Sequence, residues 1–207
     1  SSLEPLEVSP ALLELLRRQP VGLCPHLHVP LQSGDDVVLR RMRRPYRPEQ
    51  AQRLLARARR ALPRAALGAD LLVGFPGEDE AAFERTAELL RDAPLTHAHV
   101  FVFSPRAGTE AALLPDQVPP ALARRRGQRL RELGQRKLER FAREQLGSWR
   151  PVLVEQRRRD GRLSGTSDNY LRVALQGPDA LLGQIVPVEL QRLDQEGLVS
   201  GALTGRG

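Results

Sequence analysis

The side chains of this sequence best suited to chemistry fall in four short stretches. They are Ser2 with Glu4; Gln32 and Ser33, which follow His26 and His28; Asp70 with Gly74-Phe75-Pro76-Gly77-Glu78; and residues 104–109, which begin at Ser104 and end at Thr109. Each joins hydrogen-bonding groups to a glycine or proline that lets backbone approach a ligand closely. In parallel α/β folds ligands bind beyond the carboxyl ends of strands, and each stretch reads as the end of one. The mix suits a small polar ligand with an aromatic ring; ordinary loop chemistry is the plainer alternative.

Other reactive residue types read as structural. The single cysteine, Cys24, excludes a disulfide framework or a multi-cysteine metal site within the chain. Lying just before a strand, it is expected as a small buried apolar residue. His26 and His28 project to one side of a strand, but no carboxylate or third ligand lies near them in sequence, so no metal site is expected. Glu78, Asp79 and Glu80 open a helix whose macrodipole favours acidic residues, which suffices to explain Asp79 and Glu80. No complete acid–base or nucleophile constellation is present.

Basic residues point to a polyanionic partner. The 207 residues carry a net charge of +7, whereas aromatic residues make only 4%, so contact with nucleic acid must rest more on arginine than on stacking. Arg157, Arg158 and Arg159 precede Asp160-Gly161 at a hairpin tip, a plausible phosphate contact; Tyr170 and Arg172 could grip an unstacked base if they share a face. A long helix displays Arg124, Arg125, Arg126, Arg129, Arg131, Arg136, Lys137, Arg140 and Arg143 on its exposed faces, as solvated surface or RNA-facing surface. No apolar run approaches the length of about 20 residues that spans a membrane, and no signal-peptide pattern opens the chain, so a reducing, cytoplasmic setting is expected.

The elements that must position these stretches follow an alternating order. Ser9 caps a short helix beginning at Pro10, residues 24–31 read as a strand, helices follow around 37–42 and 48–62, residues 65–75 read as the next strand, and a helix containing Phe83, Leu89 and Leu90 precedes a strand at 97–103. Repeated β/α units with near-continuous apolar strands indicate a parallel sheet, buried on both faces and covered by helices. Residues 119–146 form one long helix, stopped by Gly147. Five short strands follow, at 152–156, 163–166, 170–175, 184–190 and 198–203, enough for a small β-barrel or folded-over sheet. The expected domains are residues 1–147 and 148–207.

The wording of these segments, beyond their periodicity, resembles one family. Pro25-His26-Leu27-His28-Val29-Pro30-Leu31-Gln32-Ser33-Gly34, followed by Leu39-Arg40-Arg41-Met42-Arg43-Arg44-Pro45-Tyr46, resembles the fifth strand and following helix of the radical S-adenosylmethionine methylthiotransferases. Asp70-Leu71-Leu72-Val73-Gly74-Phe75-Pro76-Gly77-Glu78 resembles the sixth strand, Ser1-Ser2-Leu3-Glu4-Pro5 the end of the fourth, and residues from about 148 the TRAM domain, a small OB-like RNA-binding barrel. The resemblance implies an α/β fold: the C-terminal half of a partial parallel (β/α) radical-SAM barrel, then a long helix and an all-β TRAM barrel.

His99-Val100-Phe101, Ser104-Pro105-Arg106, Gly108-Thr109, Asp116-Gln117-Val118 and Asp168-Asn169-Tyr170 most resemble the branch that methylthiolates N6-threonylcarbamoyladenosine next to the tRNA anticodon. Sister branches act on isopentenyladenosine in tRNA or on a ribosomal protein, and a non-catalytic RNA-binding module is the remaining alternative. The family uses S-adenosylmethionine and two [4Fe–4S] clusters, one for radical generation and one for sulfur insertion. By motif, Ser2 and Glu4 would lie near the methionine or ribose part, Gln32 and Ser33 near the ligand, and Val73, Gly74, Phe75 and Pro76 near the adenine. Both sets of cluster cysteines belong to the family's N-terminal half, which this sequence does not include. That half and the tRNA anticodon stem-loop are the expected partners, and the chain alone is expected to be inactive.

Overall fold

The computed structural model describes residues 3–18, 20, 22–194 and 197–203. Its contacts divide the chain into two units, Ser1–Leu23 with Leu27–Lys137 and Cys24–His26 with Leu138–Gly207. No helix among the described residues is long and apolar enough to cross a membrane.

The first unit is built on a three-stranded sheet in the order β1 (His26–Gln32), β2 (Ala66–Val73), β3 (His97–Val102). β2 and β3 are parallel, with Asp70 opposite His99 and Val73 opposite Val102. Helices α1 (Pro10–Arg18), α2 (Asp36–Arg41), α3 (Pro48–Ala61), α4 (Glu80–Asp92) and α5 (Glu110–Leu113) alternate with the strands, and α6 (Pro120–Gln145) follows. The starts of three of them are written in the sequence: Ser9 Oγ accepts from Leu12 N–H at 3.1 Å, Asp35 Oδ1 from Val38 N–H at 2.8 Å, and Asp79 Oδ1 from Ala82 N–H at 2.7 Å. Leu13, Leu54, Leu55, Phe83, Leu90 and Leu130 meet Leu27, Val29, Leu31 and Leu71 in one core. Each large side chain fully buried there contributes about 1.5–3 kcal/mol.

Two expectations are corrected. The two outer strands are not buried on both faces: β1 alternates, with Leu27, Val29 and Leu31 in the core while His28 and Gln32 stay partly exposed, and His99 and Phe101 are exposed on β3; β2 is buried on both faces except at Asp70 and Leu72. Helices cover one face, and the opposite face carries His28, Asp70 and His99. Residues 3–9 form no strand; a turn occupies 5–7, although Leu3 N–H still donates to the His28 carbonyl at 3.2 Å.

Helix α6 departs from the expected solvated arginine surface at one position. Arg126 is buried on the same side as Ala123 and Leu130, spaced as successive turns require. Leu122, Leu133 and Leu138 are only half-buried.

In the second unit β4 (Trp149–Arg157), β5 (Leu163–Ser167), β6 (Arg172–Leu175), β7 (Ile185–Leu193) and β8 (Val199–Leu203) close into a barrel in the order β4-β5-β6-β8-β7. Every pairing is antiparallel except β6 with β8. Val152, Val154, Leu163, Val173, Val188, Leu190 and Val199 fill the interior, as inward positions of period-two strands must. β6 starts at Arg172, two residues later than expected, because Tyr170 takes a left-handed conformation with φ 65 that ladder pairing does not accept.

The barrel wall is tightest at Gly165, where an added Cβ would stand 2.1 Å from the Leu153 carbonyl oxygen beside a shift in register. Gly165→Ala is therefore expected to destabilise the chain by about 1–3 kcal/mol in urea denaturation. A change indistinguishable from zero would contradict this tightness.

Candidate functional site

Two loops form a mouth at the carboxyl ends of β1 and β2. β1 ends with Gln32 at φ 58, a left-handed conformation that strains a non-glycine residue, and Ser33 N–H closes the turn on the Leu31 carbonyl at 2.6 Å. The turn is held from beneath. Thr86 Oγ1 lies 3.2 Å from Ser33 Oγ and accepts from Gly34 N–H at 2.9 Å, while Asp35 N–H donates to Ser33 Oγ at 3.1 Å. Gly34 is required here, since a Cβ would come within 2.5 Å of the Arg85 carbonyl oxygen. Ser33 is thus a buried turn-builder, and Gln32 is the residue this geometry presents.

The loop after β2 is fixed by a buried ion pair. Gly74, at φ 78, donates its N–H to Glu78 Oε1 at 3.0 Å; Arg126 Nη1 from α6 donates to that same oxygen at 2.9 Å and to the Glu78 carbonyl at 2.8 Å. Arg126 Nη2 reaches Glu80 at 2.8 Å, and its guanidinium lies 5.2 Å above the Phe83 ring. Desolvation pushes the Glu78 carboxyl above its ordinary range, and the Gly74 N–H and Arg126 oppose that shift. Val73 is fully buried and its carbonyl accepts from Phe103 N–H at 2.8 Å, so its side chain belongs to the core. Phe75 packs edge-on against Phe103 at 5.1 Å, and the carbonyl of buried Pro76 accepts from Arg41.

Between these loops lies a cavity of about 370 Å³ lined by Gln32, Leu72, Phe75, Met42 and Arg44, with Arg40, Arg41 and Arg43 beside it. The last three arginines pair with Asp36, Asp116 and Glu110 at exposed positions, where ion pairs contribute little and exchange easily. Arg44 Nη1 donates to Glu4 Oε1 at 2.5 Å, while Glu4 Oε2 is buried and without a partner. A buried carboxylate oxygen in that state fits a ligand hydroxyl or ammonium, as S-adenosylmethionine carries. The structure thus brings together Gln32 and Phe75, leaves Ser33 and the Val73 side chain in the scaffold, and Ser2 lies outside the described residues. With Cys24 as the only cysteine, the chain offers no thiolate set for a four-iron cluster.

Asp70 is not at a strand end. It lies within β2 on the open face of the sheet, 2.9 Å from His28 Nε2 and 3.3 Å from His99 Nδ1. The carboxylate that sequence proximity did not supply to His28 comes from the neighbouring strand.

In the second unit the expected RNA-binding residues are spread over several partners. Arg157 donates to Asp179 at 2.5 Å, to the Gly161 carbonyl at 2.5 Å and to the Gly177 carbonyl at 3.1 Å, bracing two turns. Arg158 meets Asp160 at 3.3 Å, and Arg159 is exposed. Arg172 pairs with Glu155 at 2.7 Å, whereas Tyr170 stacks on His26 at 3.9 Å, so the two do not form one gripping pair. A groove of about 810 Å³ is lined by Arg143, Arg158, Arg162 and Arg192 with Glu139, Asp160 and Asp194. Arg162 and Arg192 were not singled out by sequence, because only barrel closure unites them. Cys24 is exposed, not buried as expected; partial desolvation and Asp168 raise its thiol pKa, which argues against a reactive thiolate.

Residues 2–90 match the Radical SAM superfamily model, and the chain belongs to that class. The tRNA-2-methylthio-N(6)-dimethylallyladenosine synthase of Syntrophotalea carbinolica is 39% identical over 170 residues, covering 81% of this chain and 39% of that protein. The ribosomal protein uS12 methylthiotransferase RimO of a Synechococcus species is 38% identical over 92% of this chain and 42% of its own length. The threonylcarbamoyladenosine tRNA methylthiotransferase MtaB of Thermotoga maritima is 34% identical over 97% of this chain and 45% of its own length. Within the superfamily, the chain is a member of the methylthiotransferase family, and it spans about two fifths of the length of these relatives.

Two outcomes follow from this geometry. Arg126→Met leaves the Glu78 charge buried and unpaired, so it should cost about 3–5 kcal/mol, and Arg126→Met with Glu78→Gln should cost less than the two single losses summed; additive losses in denaturation would contradict a coupled pair. Hydrogen bonds from Arg162, then Arg158, hold the Asp160 carboxyl down from 3.8 to about 2. A lowered carboxyl pKa stabilises the fold above pH 3.8, and that contribution disappears as pH falls through about 2. A carbon-13 titration should find that low midpoint, moving upward in Arg162→Ala.

Proposed function

We propose that the chain is the ligand-facing and RNA-facing portion of a tRNA methylthiotransferase acting on N6-threonylcarbamoyladenosine next to the anticodon. The carrying observation is the mouth beyond β1 and β2, with its apolar Leu72 and Phe75, hydrogen-bonding Gln32 and neighbouring arginines. A nucleoside on a phosphate backbone meets such a mouth with its base against the apolar surface and its phosphates toward the guanidiniums. Glu4 would take a hydroxyl or ammonium of S-adenosylmethionine on its unpartnered oxygen, Gln32 a further polar group, and the backbone at Gly74, Phe75 and Pro76 the adenine. The bound cofactor supplies the radical chemistry, while these residues orient it and keep water from it. Cluster thiolates would come from the N-terminal part of the intact protein, in a reducing cytoplasm.

Support for the threonylcarbamoyl branch comes from the wording at His99-Val100-Phe101, Ser104-Pro105-Arg106 and Asp168-Asn169-Tyr170, while relatives of all three branches are similar to the chain at 34–39% identity. A second reading, an RNA-binding module without catalysis, is favoured by the arginine-lined groove of the barrel unit.

The test is binding of the chain to anticodon stem-loop RNA, with and without the threonylcarbamoyl group, across a salt series. The proposal expects preference for the modified loop and a steep salt dependence, with Arg43→Ala reducing the log–log slope by about 0.7–0.9. Equal binding to both RNAs would favour the module, and no binding by folded chain would contradict RNA recognition by this portion.

A further inference from the structure

Three side chains bearing metal-binding atoms converge on the open face of the first unit's sheet. His28 on β1, Asp70 on β2 and His99 on β3 each bring one such atom within 4.8 Å of the others. The parallel register sets Asp70 directly opposite His99, and β1 lies on the other side of β2. His28 Nε2 and His99 Nδ1 approach the same oxygen, Asp70 Oδ1, at 2.9 and 3.3 Å, and the two imidazole centroids are 5.0 Å apart.

The two distances to Asp70 Oδ1 are those of neighbouring donors around an ion, and the two imidazole nitrogens lie within 4.8 Å of each other. With metal–ligand bonds of about 2.0–2.1 Å, adjacent donor atoms lie about 3.0 Å apart in an octahedral shell and about 3.3 Å apart in a tetrahedral one. The scaffold is rigid, because all three residues stand inside paired strands and not on loops. Room for the rings is also built in. Two residues before Asp70, on the same face, is Gly68, where a Cβ would stand 2.6 Å from His28 Nδ1 and 2.4 Å from His97 Nε2.

We propose that His28, Asp70 and His99 form a binding site for one divalent transition-metal ion. Two imidazoles and one carboxylate favour the zinc, cobalt, nickel and iron class over magnesium or calcium, and leave positions open for water or another ligand. Asp70 lies toward the middle of the sheet, and His28 is four residues before Gln32, about 13 Å along the strand. Asp70 also stands two residues, about 7 Å, before Leu72 of the ligand mouth on the same face of β2, so the site lies beside that mouth but is built from residues that do not line it; it stands whether or not the methylthiotransferase reading does.

The test uses the whole chain, stripped with a chelator and titrated with Co2+, followed by visible absorption and by competition with a chromophoric chelator. The expected result is one equivalent bound, no intense thiolate charge-transfer band, affinity reduced at least tenfold in both Asp70→Asn and His99→Gln, and no change in Cys24→Ser. Because a β-strand substitution can disturb folding, the unsubstituted chain is also followed by histidine ring NMR, where sub-stoichiometric Co2+ should broaden His28 and His99 first. Absence of saturable binding, binding that survives both substitutions in folded protein, or broadening confined to other histidines would overturn the proposal and leave a hydrogen-bonded cluster only.

Discussion

A guanidinium enclosed on the inner side of α6 and a carboxylate enclosed beneath the loop after β2 cannot be parted without stranding a charge in apolar surroundings. Arg126 and Glu78 are both almost wholly buried, and the same Glu78 oxygen that meets Arg126 also receives the Gly74 N–H. One interaction therefore fixes three things: where α6 lies against α4, how β2 ends, and which way the backbone at residues 74–76 faces. Burial makes the pair costly to form and costlier to break, so its value lies in specifying one geometry. The left-handed conformation at Gly74 then follows from the bond that its N–H must make.

The ligand mouth inherits its shape from this constraint. Phe75 and Leu72 stand at the end of β2 only because the following turn is pinned, and Gln32 faces them because Thr86 of α4 holds the neighbouring turn. Helix α4 thus supports both loops, at Thr86 for one and through its Asp79 cap and Phe83 for the other. Around this rigid floor the arginines of α2 and the following turn sit in exposed pairs that an incoming phosphate can displace. The barrel unit repeats the arrangement at another scale, with a tightly packed interior and a rim of arginines balanced against Glu139, Asp160 and Asp194.

Much of the fold is legible in the sequence because local chemistry decides it. Ser9, Asp35 and Asp79 mark helix starts by the hydrogen bonds they can make, and period-two apolar residues mark the barrel strands to within three residues at each end. What sequence did not disclose depends on partners far along the chain. Arg126 reads as one more solvated arginine until Glu78, 48 residues away, is found beneath it. Asp70 interrupts the apolar run read as a strand at 65–75, and its partners appear only when β1 and β3 set His28 and His99 on its flanks. Ser33 and Val73 carry the family's wording, yet the first builds a turn and the second fills the core; Arg162 and Arg192 come together only when the barrel closes.

The most direct test of the central claim, that Arg126 holds the ligand loop through Glu78, is native-state hydrogen exchange at the Gly74 amide. In the unsubstituted chain this amide should exchange as slowly as its β2 neighbours. In Arg126→Met it should exchange about a hundredfold faster than those neighbours, equivalent to about 2.7 kcal/mol of lost local stability. Gly74 remaining as protected as β2 in the variant would mean that the loop holds its conformation without the pair, and the account would be contradicted.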